Sequence, residues 1–185
     1  MPVRYFDTRC ALLLMGVLTL SACGSHVRPV SDTPIRIGKP YTVRGITHTP
    51  AAQPYYDMLG YATWYGKESG NTVANGERFR ANWITAAHTT LPLPSYVEVT
   101  SLDTGKRILV RVNDRGPFSG PTRIVDLSRG AADLLGTRTK GKTAVRVRWA
   151  EPSEKDRANL RKGKAAKSLA PLPHKALVTL RERFV

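Results

Sequence analysis

Between Gly60 and Trp149 the apolar residues come in short alternating runs, a pattern that a helical fold cannot bury. Tyr96-Val97-Glu98-Val99-Thr100, Ile108-Leu109-Val110-Arg111-Val112 and Val145-Arg146-Val147-Arg148-Trp149 each have the period of two that belongs to a strand. Gly60-Tyr61-Ala62-Thr63-Trp64-Tyr65-Gly66 is aromatic and β-prone between glycines, so it reads as another strand. Asp103-Thr104-Gly105-Lys106 turns one run into the next as a hairpin. Leu91-Pro92-Leu93-Pro94 can continue neither a helix nor a central strand. Ile124-Val125 opens a further strand, after which Ser128 caps a short helix, Arg129 to Leu135, that Gly136 ends. Residues 57–150 thus predict a mainly β fold of about six short strands and one or two short helices, a size that buries a modest core without staples. A small barrel satisfies that pattern.

The ends of the chain read differently. Arg4 and Arg9 precede an apolar run from Cys10 to Leu20, too short for a membrane span of about 20 residues, and Ser21-Ala22 supply small residues before Cys23. Residues 1–22 are therefore expected to be a signal peptide. Residues 23–56, with prolines at 29, 34, 40, 50 and 54 and no sustained period, read as a tether of order 100 Å when drawn out, in which Pro40-Tyr41-Thr42-Val43 could dock as a short strand. From Glu151 to Val185, Lys and Arg cluster with Ala and Pro, so a disordered basic tail is expected, with at most one helical turn over Leu177 to Val185. Net charge is +15 and spread along the chain, which suits polyanionic partners such as wall polymers or lipid headgroups. An export signal argues against nucleic acid. With Cys10 in the signal and Cys23 at its end, no disulfide is left to staple the fold.

Polar residues gather at the turns of the predicted barrel: Asn75-Gly76-Glu77, Thr85-Ala86-Ala87-His88, Asn113-Asp114-Arg115-Gly116-Pro117-Phe118 and Asp126-Leu127-Ser128. Carboxylates and an imidazole beside Gly and Pro at strand ends look like a site mounted on a scaffold. Glu77, His88 and Asp114 are its candidate centre. Each has a bland counterpart: a turn carboxylate for Glu77, a hydrogen-bonded core histidine for His88, an Asx turn or an ion pair with Arg115 for Asp114. Asp126 reads as holding the start of the following helix. Two carboxyls and one imidazole, with four His in the whole chain, do not make a structural zinc site, and no nucleotide-binding or nucleophile-elbow motif is present. Neither a metal nor a cofactor is expected.

Taken in order, Tyr61-Ala62-Thr63-Trp64-Tyr65-Gly66, Ala74-Asn75-Gly76-Glu77, Thr85-Ala86-Ala87-His88, Leu91-Pro92-Leu93-Pro94-Ser95, Val110 to Phe118 and Ile124-Val125-Asp126-Leu127-Ser128 resemble the RlpA (rare lipoprotein A) family of septal lytic transglycosylases. The resemblance covers residues 57–150. It implies a six-stranded double-psi β-barrel that cleaves the bond between N-acetylmuramic acid and N-acetylglucosamine in peptidoglycan glycan strands, preferably strands stripped of stem peptides, leaving 1,6-anhydromuramic acid. Block by block it implies Glu77, His88 and Asp114 as catalytic, with Trp64, Tyr65, Asn75, Asn113 and Arg115 toward substrate; Trp83 is a further aromatic candidate. Asp114 is the first choice for the general acid and Glu77 for the neighbouring carboxylate, an assignment that could be reversed. Leu20-Ser21-Ala22-Cys23 resembles a lipobox, which implies an acylated Cys23 and, with Gly24 after it rather than Asp, the periplasmic face of the outer membrane. Val73 and Arg80 depart from the expected Thr and Asp, and no SPOR glycan-binding sequence follows the barrel. The competing expectation is an expansin-like module that binds or loosens wall polymer without cutting it.

Overall fold

The structure is a computed structural model that describes residues 1–2, 28–66 and 70–184. The signal sequence and Cys23 lie outside the described residues. Eight strands are present among them: β1 (Tyr41–Val43), β2 (Ile46–His48), β3 (Asp57–Tyr65), β4 (Thr85–Ala87), β5 (Ser95–Ser101), β6 (Arg107–Asp114), β7 (Arg123–Ser128) and β8 (Thr143–Trp149). The last six close a barrel in the order β3-β7-β4-β6-β5-β8. β3 with β7 and β4 with β6 run parallel, while the remaining neighbours run antiparallel, giving the mixed sheet of a double-psi barrel. The predicted hairpin is β5–β6, and the helix predicted after β7 is α1 (Arg129–Leu135), capped by the Ser128 hydroxyl, which accepts from the Ala131 amide, and ended by Gly136.

β-branched residues fill the barrel because a six-stranded lumen is narrow. Val97, Val99, Val110, Val112, Val125, Val145 and Val147 have no exposed surface. The alternation of β5 leads one to expect water on its outer face, yet Tyr96, Glu98 and Thr100 are buried as well. Both ends of the chain cover that face.

The tail expected to be disordered is folded. α2 (Glu154–Leu160) is capped by Ser153 and buries Leu160 completely in the main core, and α3 (His174–Glu182) places Leu177 and Leu180 against Leu102 in a second, smaller cluster. Polar composition misled because one buried leucine on α2 and two on α3, a turn apart, suffice to dock short helices on a surface that already exists. The expected tether is also corrected from Arg28 onward. β1 and β2 form a hairpin, Arg36 bridges to Leu93 with amide–carbonyl distances of 2.7 and 2.8 Å, and the Val30 amide donates to the Arg161 carbonyl at 2.9 Å. Backbone hydrogen bonds of this kind are invisible to a composition argument.

Candidate active site

Asp114 ends β6 beside an irregularity. In the parallel pairing of β4 and β6, Ala86 faces Val112 and Ala87 faces Asp114, so Asn113 is an extra residue that breaks the alternation. Such a bulge re-aims a strand-end side chain. Ala87 in turn faces Asp126 of β7, and Asp126 faces Thr63 of β3, so Asp114, Ala87, Asp126 and Thr63 form one row across four strands.

The Asp114 carboxyl is held by its own turn. Its Oδ1 accepts from the amides of Ala74 and Arg115, each at 2.8 Å, and its Oδ2 has no partner among the described residues. Burial pushes this carboxyl above the ordinary aspartate value; the two amides and the Arg115 charge oppose that rise without cancelling it. The rise owes nothing to a second carboxylate. A free oxygen on a fixed carboxyl whose pKa is raised is the geometry a general acid needs.

Glu77 lies on the other side of the same strand end. The turn that carries it is stitched to β6 by the Asn75 amide, which donates to the Asn113 carbonyl at 3.3 Å, and the Asn75 side chain accepts from the Glu77 amide at 3.1 Å. Arg111, without exposed surface, donates to both Glu77 carboxylate oxygens at 2.8 Å, and Asn113 Nδ2 adds a third bond at 3.0 Å. Burial works to raise this carboxyl, but these donors outweigh it and hold Glu77 below the ordinary value. Arg111 has a second carboxylate: its Nε donates to Asp32 at 3.0 Å, and Asp32 also accepts from Tyr96 at 2.7 Å and Arg161 at 3.1 Å. Sequence reasoning missed Arg111 and Asp32. An arginine inside an alternating strand looks solvent-facing, and nothing local marks a partner 79 residues away.

His88 points elsewhere. Its amide donates to the Asp114 carbonyl at 3.0 Å, but its Nδ1 accepts from the amides of Thr90 and Leu91, both at 3.1 Å, and Tyr56 meets the ring edge-on at 4.8 Å between centroids. Burial first, and the Arg115 charge second, push the imidazole down to about 3, so it stays neutral with its proton on Nε2. His88 and Asp114 meet through their backbones and Glu77 reaches the same strand end through the Asn75 turn, while the three side chains take different directions.

The remaining candidates divide. Arg115 spends its guanidinium on the carbonyls of Leu91 at 2.5 Å, Ile37 at 2.8 Å and His88 at 3.2 Å, which makes it a clamp on the loop rather than a free cation. Tyr65 is half-buried and stacks on Phe79 at 5.2 Å, and burial of its hydroxyl pushes the phenol upward, with Asp114 adding to the rise. Trp64 donates from Nε1 to the Arg138 carbonyl at 2.9 Å and carries the Arg138 guanidinium over its ring. Trp83 packs beneath Gly163 and under Arg80. Asp126 does not hold the helix start, since Ser128 does; its carboxylate accepts from Thr63 at 2.6 Å and from Arg123 at 2.6 and 2.7 Å. Among the described residues, no group of three His, Cys, Asp or Glu side chains could hold a metal.

A closed six-stranded barrel of mixed strands defines the class as a double-psi barrel, and residues 57–147 match the family model described as "Lytic transglycolase". Within that class the barrel is similar to curated members of the RlpA family. An endolytic peptidoglycan transglycosylase RlpA of Pseudomonas aeruginosa (strain UCBPP-PA14) is 51% identical over 115 residues, covering 61% of this chain and 33% of the relative. The one from Rickettsia prowazekii is 43% identical over 118 residues, covering 62% and 37%. The chain spans about a third of the length of these relatives. Among solved structures, the Streptomyces papain inhibitor is similar at a TM-score of 0.43 and 24% identity, over 52% of this chain and 96% of the inhibitor.

Proposed function

We propose that this chain is a peptidoglycan lytic transglycosylase in which Asp114 performs both proton transfers. Protonated Asp114 gives its proton to the oxygen joining N-acetylmuramic acid to N-acetylglucosamine, and that bond breaks. The C6 hydroxyl of the muramoyl residue attacks its own anomeric carbon, and its proton returns to the Asp114 carboxylate. The products are a new N-acetylglucosamine 4-hydroxyl and a 1,6-anhydromuramoyl end; no water is consumed and the acid is regenerated. The observation that carries this reading is the free Oδ2 of a fixed carboxyl whose hold on a proton burial strengthens. Glu77 is excluded as the base by the same reasoning, because a carboxylate held down by a bidentate arginine is a weak proton acceptor. Paired with Arg111 and Asn113, it fixes the Asn75 turn and the end of β6 that carries Asp114.

Mass spectrometry of peptide-free glycan strands digested by the protein tests the reading: soluble fragments ending in 1,6-anhydromuramic acid are expected. Only reducing ends would overturn the mechanism, and retention on glycan with no release of fragments would favour the expansin-like alternative. We further propose that the enzyme prefers strands without stem peptides, which comparison of denuded glycan with intact sacculi measures. Location belongs to the same proposal: Cys23 carries lipid and holds the protein at the periplasmic face of the outer membrane. Cys23→Ser is expected to appear in the soluble periplasmic fraction, and a variant still on membranes would refute the anchor.

A further inference from the structure

A cavity of about 970 Å³ opens beside the row of carboxylates, and no step above uses it. Its walls include Ile46, Tyr55, Tyr56, His88, Phe118 and Ile124, so it is apolar and aromatic with a few polar groups, the make-up of a ligand site. It is continuous with the proposed active site at two points. Pro117 and Phe118 follow Asp114 in the loop, and Arg123, whose guanidinium grips Asp126, lines the cavity as well. Much of one wall, including Ile46, Tyr55 and Tyr56, precedes the residues matched by the family model.

His88 gives the cavity its chemistry. The residue is 2% exposed, its Nδ1 is taken by two amides, and its Nε2–H has no partner among the described residues. That N–H is not sealed in the core but opens on the cavity, where a ligand acceptor can reach it. We infer that the cavity binds an N-acetylhexosamine unit of the glycan strand, with the acetamido carbonyl accepting from His88 Nε2–H, the acetamido methyl against the apolar wall, and the pyranose against the exposed ring of Tyr55. The inference rests on the reading of the protein as glycan-acting and adds a saccharide subsite one or more units away from the cleaved bond. Neutrality of the imidazole keeps the donor in place across the physiological pH range.

The experiment follows the His88 Nε2–H resonance by NMR in Asp114→Asn protein titrated with chitotetraose, its de-N-acetylated counterpart, and free stem peptide. Chitotetraose is expected to shift that resonance, the de-N-acetylated tetramer to bind at least about tenfold more weakly, and the peptide to leave it unmoved. Tyr55→Ala, which removes a ring that is 94% exposed and so leaves the core intact, is expected to weaken chitotetraose binding on the order of tenfold. Equal binding of both tetramers, an unmoved His88 signal, or a shift caused by the peptide would each overturn the inference. The two readings fail separately. Chitotetraose on His88 in a protein that cuts no glycan sinks only the transglycosylase, whereas cleavage with an unmoved His88 signal and an indifferent Tyr55→Ala sinks only the subsite.

Discussion

Asp114 is costly to the fold when it is charged. Its folded carboxyl lies above the unfolded value, so the stability it contributes is complete in acid and is lost as pH rises through the folded pKa. Asp114→Asn keeps the acceptor for the Ala74 and Arg115 amides and removes the buried charge. It should melt at or above the wild-type temperature at pH 7, converge with wild type below about pH 4, and lose roughly 10² to 10⁴ in cleavage rate. Wild-type turnover by this variant would remove Asp114 from the mechanism. Glu77 behaves oppositely: its depressed carboxyl adds stability that is present above the unfolded value and lost as pH falls. Glu77→Gln leaves buried Arg111 with one carboxylate instead of two, and should cost about 3 kcal/mol by denaturant titration at an unchanged m-value. At this scale the residue types of the site were legible from their turns. Their partners were not, because a sequence shows neither the bulge at Asn113 nor the buried guanidinium of Arg111.

The helices after the barrel are packed parts of the fold, α2 in the main core and α3 in the second cluster. Leu160 has no exposed surface, so Leu160→Ala should cost about 2–5 kcal/mol in thermal or chemical unfolding, where a disordered tail would give no change at all. Close approach also fixes α1. A Cβ on Gly130 would stand 2.3 Å from the Asn82 carbonyl oxygen, and backbone cannot yield as a flexible side chain does. Gly130→Ala should lower stability by about 2 kcal/mol or more, with the loss read as a lower midpoint and the same slope. Alternating strands, the β5–β6 hairpin and capped α1 were readable because each is set by neighbours along the chain. α2 and α3 were not, since short, charge-rich helices form only where a partner surface waits.

For the whole molecule, the network around Arg111 joins the N-terminal segment, the barrel and α2 through Asp32, Glu77 and Arg161. Desolvation works to raise the Asp32 carboxyl, but bonds from Tyr96, Arg111 and Arg161 hold it down, so Asp32, Glu77 and Glu98 all lose their contribution as pH falls. The protein should therefore unfold in acid within one cooperative transition, and Asp32→Asn should reduce stability at pH 7 and move that transition to higher pH, the two proteins converging once the carboxyl is protonated. An unchanged acid midpoint would show that the network does not couple the three segments. Docking of Val30 also shortens the reach of the proposed anchor. From Cys23 to Val30 the chain spans at most about 25 Å, a quarter of the tether expected from composition, so an acylated Cys23 would hold the barrel close to its membrane.

What the sequence determined by itself is whatever depends on periodicity and on immediate neighbours: a mainly β barrel, its hairpin, the Ser128 cap, and the gathering of Glu77, His88, Asp114 and Asp126 at strand ends. Tertiary structure alone decided which way those side chains face and how they titrate. Burial raised Asp114, a guanidinium 34 residues away lowered Glu77, and two amides turned His88 from a proton carrier into a fixed donor. Solvation and charge act through space, and the distances that set them exist only once the chain has closed.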